Sequence, residues 1–313
     1  MRKSPLAILL MLGFAASASA EPFAYVPNEK SGTVSVIDAA TNTVVRDIQV
    51  SERPRGIAIS PDGGRLFVTD APSRSLVVIS LPGGQIAAKW KLGESPEGVN
   101  ASRDGKFLAV AVEEDNSVSL IDAATGKHLA EIKVKGKNPE HAVFSPDGRW
   151  IYASAEDAEQ VDVIDVAAAR QVGQIPVGKR PRGIGFLPDG SRAYVACELA
   201  NTVFAIDPAT HQVVARIPAG TFSNGIAVHP SGKQVFVSNG KDGTVSVIDT
   251  ASNTIQATIP VGKRPWNMAI TADGKRLFVA NGRSDSVTVI DTETLTPVTD
   301  VGVGTLPWGV VVH

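Results

Sequence analysis

Residues 273–291 read DGKRLFVANGRSDSVTVID: a turn at Asp273-Gly274, an apolar run through Phe278-Val279-Ala280-Asn281, a polar turn, and a second run closing on Ile290-Asp291. The same marks return along the chain. Ile-Asp recurs at Ile37-Asp38, Ile121-Asp122, Ile164-Asp165, Ile206-Asp207 and Ile248-Asp249, with Ile79-Ser80 as the departure, in steps of 42, 42, 43, 42, 42 and 42 residues. The turn recurs at Asp62-Gly63, Asp104-Gly105, Asp147-Gly148, Asp189-Gly190 and Ser231-Gly232. A third mark, Pro before a short apolar run, falls at Pro54, Pro96, Pro139, Pro181, Pro265 and Pro307, with Ser223 standing in once. Three marks in step at one period announce a repeat architecture.

Each unit holds four short β-rich runs; in the first complete one they are Gly56 to Ile59, Leu66 to Thr69, Leu76 to Ile79 and Ile86 to Leu92. No run of helical length shows 3.6-residue spacing. Four antiparallel strands per unit, repeated radially, predict an all-β, seven-bladed β-propeller. The chain opens on a second strand, Phe23 to Val26, and ends on an orphan first strand, Gly309 to Val312. Pairing the two completes the seventh blade and removes the open edges. The Asp-Gly turn supplies a positive φ, and the Asp after Ile forms an Asx turn, so both marks read as structural.

Composition agrees. The 313 residues are 43% hydrophobic and 20% charged, with 29 Gly and 20 Pro, as in ordinary globular chains. One Cys excludes a disulfide framework, a CxxCH haem attachment and a cysteine zinc cluster. A net charge of -2 gives no global drive towards nucleic acid or an acidic membrane. Arg2 and Lys3, an apolar stretch from Leu6 to Ala16 and Ala18-Ser19-Ala20 read as a signal peptide over 1–20, with cleavage after Ala20. The product, 21–313, is expected to be periplasmic or secreted, without membrane insertion after cleavage, and monomeric.

The runs Tyr25-Val26-Pro27-Asn28, Phe67-Val68-Thr69-Asp70, Phe236-Val237-Ser238-Asn239 and Phe278-Val279-Ala280-Asn281, with the Pro-x-Gly and Pro-Asp-Gly marks, resemble the YVTN-type β-propeller repeat. The resemblance covers Phe23 to His313 and is specific for fold. In length, repeat number and leader, the chain is similar to the exported subgroup that accompanies PQQ-dependent alcohol oxidation. That resemblance implies an accessory protein without a reaction of its own, with a periplasmic dehydrogenase or transport components as partners.

Propeller ligands bind at the axial mouth, a concavity lined by every blade. The residue after the marking Pro or Ser gives a ring there: Arg55, Glu97, Glu140, Arg182, Asn224, Trp266 and Trp308. The next position is Gly in five blades but His141 and Asn267 in two. Loops after the second strands bring Glu29, Glu113, Glu156 and Glu198 to one half, and Asn28, Asn239 and Asn281 join the Trp rings in the other. This asymmetry points to a pocket for a small polar or aromatic ligand, with the Trp rings as stacking surface and Arg55 and Arg182 gripping anionic groups. The plainer alternative is a ring of solvated, drifted loop positions with Trp266 and Trp308 plugging the channel.

A non-catalytic binding or scaffolding role without a cofactor is therefore expected. The rival is a metal-assisted lyase or lactonase at the mouth, with His141, Glu140 and Glu156 as ligands or as acid and base. His128, His211, His229 and His313 map to the opposite face, which leaves His141 alone as an imidazole ligand. Cys197 reads as a small packed residue. Arg53, Lys135, Lys137, Lys179, Arg180, Lys263 and Arg264 form a basic rim. With the Trp rings it could serve single-stranded nucleic acid, but the central carboxylates oppose that partner.

Overall fold

The computed structural model describes residues 22–313; the signal-peptide reading of 1–20 lies outside them. Seven four-stranded antiparallel sheets follow one another as blades. Blade 2 is Pro54–Ile59, Arg65–Asp70, Ser75–Ser80 and Gln85–Lys91, counted from the axis outwards. Blades 3 to 7 repeat it, with innermost strands Pro96–Ala101, Pro139–Phe144, Pro181–Phe186, Ser223–Val228 and Pro265–Ile270. Blade 1 is assembled from both ends of the chain: Val311–Val312 pairs with Phe23–Asn28, followed by Thr33–Asp38 and Thr43–Gln49. The closing strand is shorter than Gly309 to Val312, yet the seam extends through Phe23 N to His313 O at 2.8 Å and Trp308 N to Pro27 O at 2.9 Å.

The second and third strands are buried on both faces because each blade is packed between two neighbours. Seven apolar clusters hold the ring together, each shared by two adjacent blades; Tyr25, Val36, Leu66 and Val77 represent the one between blades 1 and 2. The outermost strands alternate exposed and half-buried residues, and a bulge such as that between Val36 and Ile37 distorts each edge. Both turn readings hold. Gly63 has φ +69°, and Asp38 Oδ1 accepts the Ala40 and Thr41 amides at 2.9 Å each.

Candidate active site at the axial mouth

A bulge in each inner strand aims its residues at the axis. In blade 2, Pro54 pairs with Asp70 and Ile57 with Val68, which leaves Arg55 and Gly56 outside the regular ladder. The same shift falls at Glu97, Glu140, Arg182, Asn224 and Trp266. Hydroxyls of the second strands pin the bulges. Thr69 Oγ1 accepts the Gly56 amide and donates to the Glu97 carbonyl, both at 2.8 Å. Ser238 Oγ accepts the Gly225 amide at 2.8 Å and donates to the Trp266 carbonyl at 2.6 Å. One blade thus positions the mouth residue of the next. Gly56 is required here, because a Cβ would lie 2.2 Å from the Glu97 carbonyl oxygen.

The acidic half is an ion-pair network. Arg182 reaches Glu140 at 2.6 Å, Glu198 at 3.1 Å and also Glu156. Arg55 bridges Glu97 and Glu29, and Arg53 closes on Glu29 at 2.7 Å. Arg180 pairs with Glu156 at 3.1 Å, and Arg264 with Glu198 at 2.6 Å. These carboxylates are removed from water: Glu97 is 0% exposed and Glu198 1%. The alternative of a solvated ring fails at these positions. Arg55 and Arg182 are already gripping anionic groups, the protein's own carboxylates.

Burial, reinforced by Glu140, pushes the Glu97 carboxyl up to about 8 and that of Glu156 to about 7. Burial also acts on Glu140, but Arg182, with His141 and Arg55, outweighs it and holds that carboxyl below its usual range. Burial lowers the His141 pKa against the attraction of Glu140, so the imidazole is neutral at pH 7. Among the described residues no three His, Cys, Asp or Glu side chains converge as metal ligands. His141 faces the Trp308 ring, 5.6 Å between centroids, while the Arg182 guanidinium stands between Glu140 and Glu156.

Trp266, Trp308, Asn224 and Asn267 face this network across a cavity of about 260 Å³, which Arg55, Arg182 and Arg264 also line. Trp308 is buried at 8% exposure and Asn224 at 5%, while Trp266 is half-buried. Beneath them His141, Asn267 and Trp308 cap a second space of about 130 Å³ walled by Gly and aliphatic residues. Glu97 does not line the cavity; it backs Arg55, which does.

Two placements need correction. Asn28, Asn239 and Asn281 are fully buried behind the mouth, where each side-chain amide donates to hydroxyls of the third strand, such as Ser35 at 2.9 Å from Asn28. A residue ending a strand inside the blade satisfies its own ladder before it can face solvent. Arg264 turns inward from the rim to a buried carboxylate, and Arg53 and Arg180, though still partly solvated, also pair with buried carboxylates, whereas Lys135, Lys137, Lys179 and Lys263 stay exposed and unpaired among the described residues. Cys197 is buried, its thiol pushed up to about 12 by burial. His211 bonds the Tyr152 hydroxyl at 2.7 Å and His128 the Lys91 carbonyl at 2.7 Å, away from the mouth.

The fold and site now stand beside known proteins. Three family models match parts of the chain: a seven-bladed β-propeller lactonase over 166–300, the SMP-30/gluconolactonase/LRE-like region over 17–157, and the cytochrome D1 heme domain over 103–225. No curated protein matches. Among solved structures, the chain is similar to one titled Kuenenia stuttgartiensis hydrazine synthase, with a TM-score of 0.79 and 26% identity over 86% of this chain and 92% of that one. It also resembles a functionally unknown protein from Desulfotomaculum acetoxidans DSM 771, with a TM-score of 0.82 and 19% identity over 93% and 98%. A haem does not fit the mouth. The cavity is below the roughly 300–1,000 Å³ of drug-sized sites, and the imidazole at its floor lies against Trp308.

Proposed function

We propose that the axial mouth binds a compact, uncharged polar molecule with a flat or unsaturated face and carries out no chemistry on it. The observation that carries this reading is the pairing, across one cavity, of Trp266 and Trp308 with a carboxylate and guanidinium wall whose charges already neutralise each other. Trp offers stacking area, and Asn224 and Asn267 offer amide donors and acceptors for orientation. The setting we propose follows the similarity to the exported PQQ-associated subgroup: an exported accessory to PQQ-dependent alcohol oxidation or an associated transport system. Within that setting the mouth suits the alcohol or aldehyde better than PQQ, a larger polyanion for which a cavity of about 260 Å³ whose guanidinium groups are already paired leaves neither room nor a free cation. Calorimetric titration of alcohols and aldehydes into wild type and Trp266→Ala tests the reading.

A second reading is lactone opening, supported by two partial family matches whose descriptions name lactonase and gluconolactonase. Hydrolysis needs a base to take a proton from water as its oxygen joins the carbonyl carbon, then an acid to protonate the departing ring oxygen. Glu156, at about 7, exchanges protons near neutrality and lines the cavity beside Arg182, whose guanidinium can stabilise an oxyanion. Acid release from gluconolactone above the spontaneous rate, persisting with a chelator and lost in Glu156→Gln, would replace the binding reading with this one.

A further inference from the structure

A third hollow, of about 510 Å³, opens on the same face between blades 6 and 7. Phe222 forms part of its wall, with Lys241, Lys263, Arg264 and Arg283 around it. Its charges differ from those of the mouth. Lys241, Lys263 and Arg283 are exposed and have no carboxylate within 4.0 Å among the described residues. The one acid in the wall, Asp242, accepts the Thr221 amide at 2.6 Å. Three uncompensated cations against one engaged carboxylate leave the hollow positive.

Arg264 joins the hollow to the mouth. It lines both spaces, and its guanidinium lies 5.3 Å from the Phe222 ring centroid and 6.0 Å from that of Trp266. Lys241 Nζ lies 5.7 Å from the Phe222 ring on the hollow side. Gly240 makes room for this ladder, since a Cβ there would stand 2.9 Å from Arg264 Nη1. Phe222, Arg264 and Trp266 thus form a continuous wall between an electropositive hollow and an electroneutral, carboxylate-backed mouth.

We propose that the hollow is an anion subsite, taking a carboxylate or phosphate carried by the same molecule whose uncharged flat part stands against Trp266. This rests on the binding reading of the mouth and extends its ligand class to a flat group joined to an anionic tail. Charge sorts the two ends. The mouth's charges are already paired and offer an anion no free cation, whereas the free cations of the hollow attract one and donate hydrogen bonds to it.

The test uses the full chain with three probes: inorganic phosphate, benzyl alcohol and benzyl phosphate, at constant ionic strength set by chloride because screening weakens exposed charges. Phosphate is expected to bind saturably to wild type and to Trp266→Ala, and at least fivefold more weakly to the Lys241→Gln/Lys263→Gln/Arg283→Gln variant. Benzyl phosphate should bind wild type at least tenfold more tightly than benzyl alcohol, an advantage the triple variant loses. All three substitutions are at exposed positions, and an unchanged melting temperature confirms an intact fold. Phosphate binding without any benzyl alcohol binding would sink the mouth reading while sustaining an anion site. Absence of saturable phosphate binding, or equal binding by the triple variant, overturns the subsite. Equal affinity for the two benzyl probes overturns the bridge between the spaces.

Discussion

Arg182 Nη1 lies 2.6 Å from Glu140 Oε1, joining the inner strand of blade 5 to that of blade 4. The same guanidinium also engages Glu156 and Glu198, so one cation holds three buried carboxylates at the mouth. Removing it strands like charges in a site with little water. Arg182→Met is expected to destabilise the protein by about 3–5 kcal/mol, the range for breaking a buried pair by deleting one partner. Denaturant unfolding measures this, and adding Glu156→Gln should recover part of the loss. An unchanged midpoint in the single variant would show that the network contributes nothing to folding.

Stability should fall as pH rises from about 5 towards about 8. Glu97 and Glu156 have folded pKa values raised to about 8 and about 7, above the ordinary 4.5. Between those limits the folded state binds more protons than the unfolded one, so each step upward in pH favours unfolding. The benefit is fully present below the ordinary value and lost through the folded one. Glu97→Gln, which imitates the protonated acid, should flatten the slope in melts taken across this range. A slope as steep as that of wild type removes Glu97 from the account.

His141 acts in the opposite sense. Burial lowers its pKa from 6.5, so protonation at lower pH favours the unfolded chain and stability declines as pH falls below that value. The titration midpoint of its ring-proton resonance should lie below 6.5. A midpoint at or above 6.5 would place the ring in a more solvated or more acidic setting than the structure gives it.

The two Trp residues should separate. Trp308 is 8% exposed and packs beside His141, so Trp308→Ala is expected to cost about 3–5 kcal/mol of stability along with any ligand. Trp266 is half-buried, and its removal should spare the fold. Their equivalent places after Pro265 and Pro307 give both rings the same stacking role by sequence alone. A common melting temperature for the two variants would restore that equivalence.

The propeller was legible because strand patterning, turn chemistry and repeat length all follow from local sequence; Ile248-Asp249 and Asp273-Gly274 do locally what their types require. The mouth was legible as a ring for the same reason, since bulges at corresponding positions aim Arg55, Glu140 and Trp266 at one axis. Pairing across blades was not. Whether Arg180 faces water or Glu156 depends on how close the inner strands approach, which no single repeat encodes. A trace was present: Glu29 and Arg53 stand 24 residues apart, as do Glu156 and Arg180, and both pairs form ion pairs. Opposite charges at a constant offset within a fixed repeat were the available sign of a network.

Ring closure rests on few residues. Deleting 308–313 removes the Tyr25–Val311 and Ala24–Val312 pairing together with the buried Trp308 and Val310. Hydrogen bonds of about 1 kcal/mol each and side-chain burial of about 1.5–3 kcal/mol each give a loss of several kcal/mol, felt by both flanking blades. Thermal unfolding of the truncated chain should show a drop of many degrees. A melt matching that of the full-length protein would contradict the closure.

The central claim is that the mouth binds a compact uncharged molecule against Trp266. Isothermal titration of benzyl alcohol, benzaldehyde and gluconolactone into wild type and Trp266→Ala at neutral pH tests it most directly. The account predicts saturable one-to-one binding of benzyl alcohol by wild type. The variant should lose about 0.5–1.5 kcal/mol beyond simple area burial while melting at the wild-type temperature. Absence of saturable binding by wild type, or equal affinity in the variant, would contradict it.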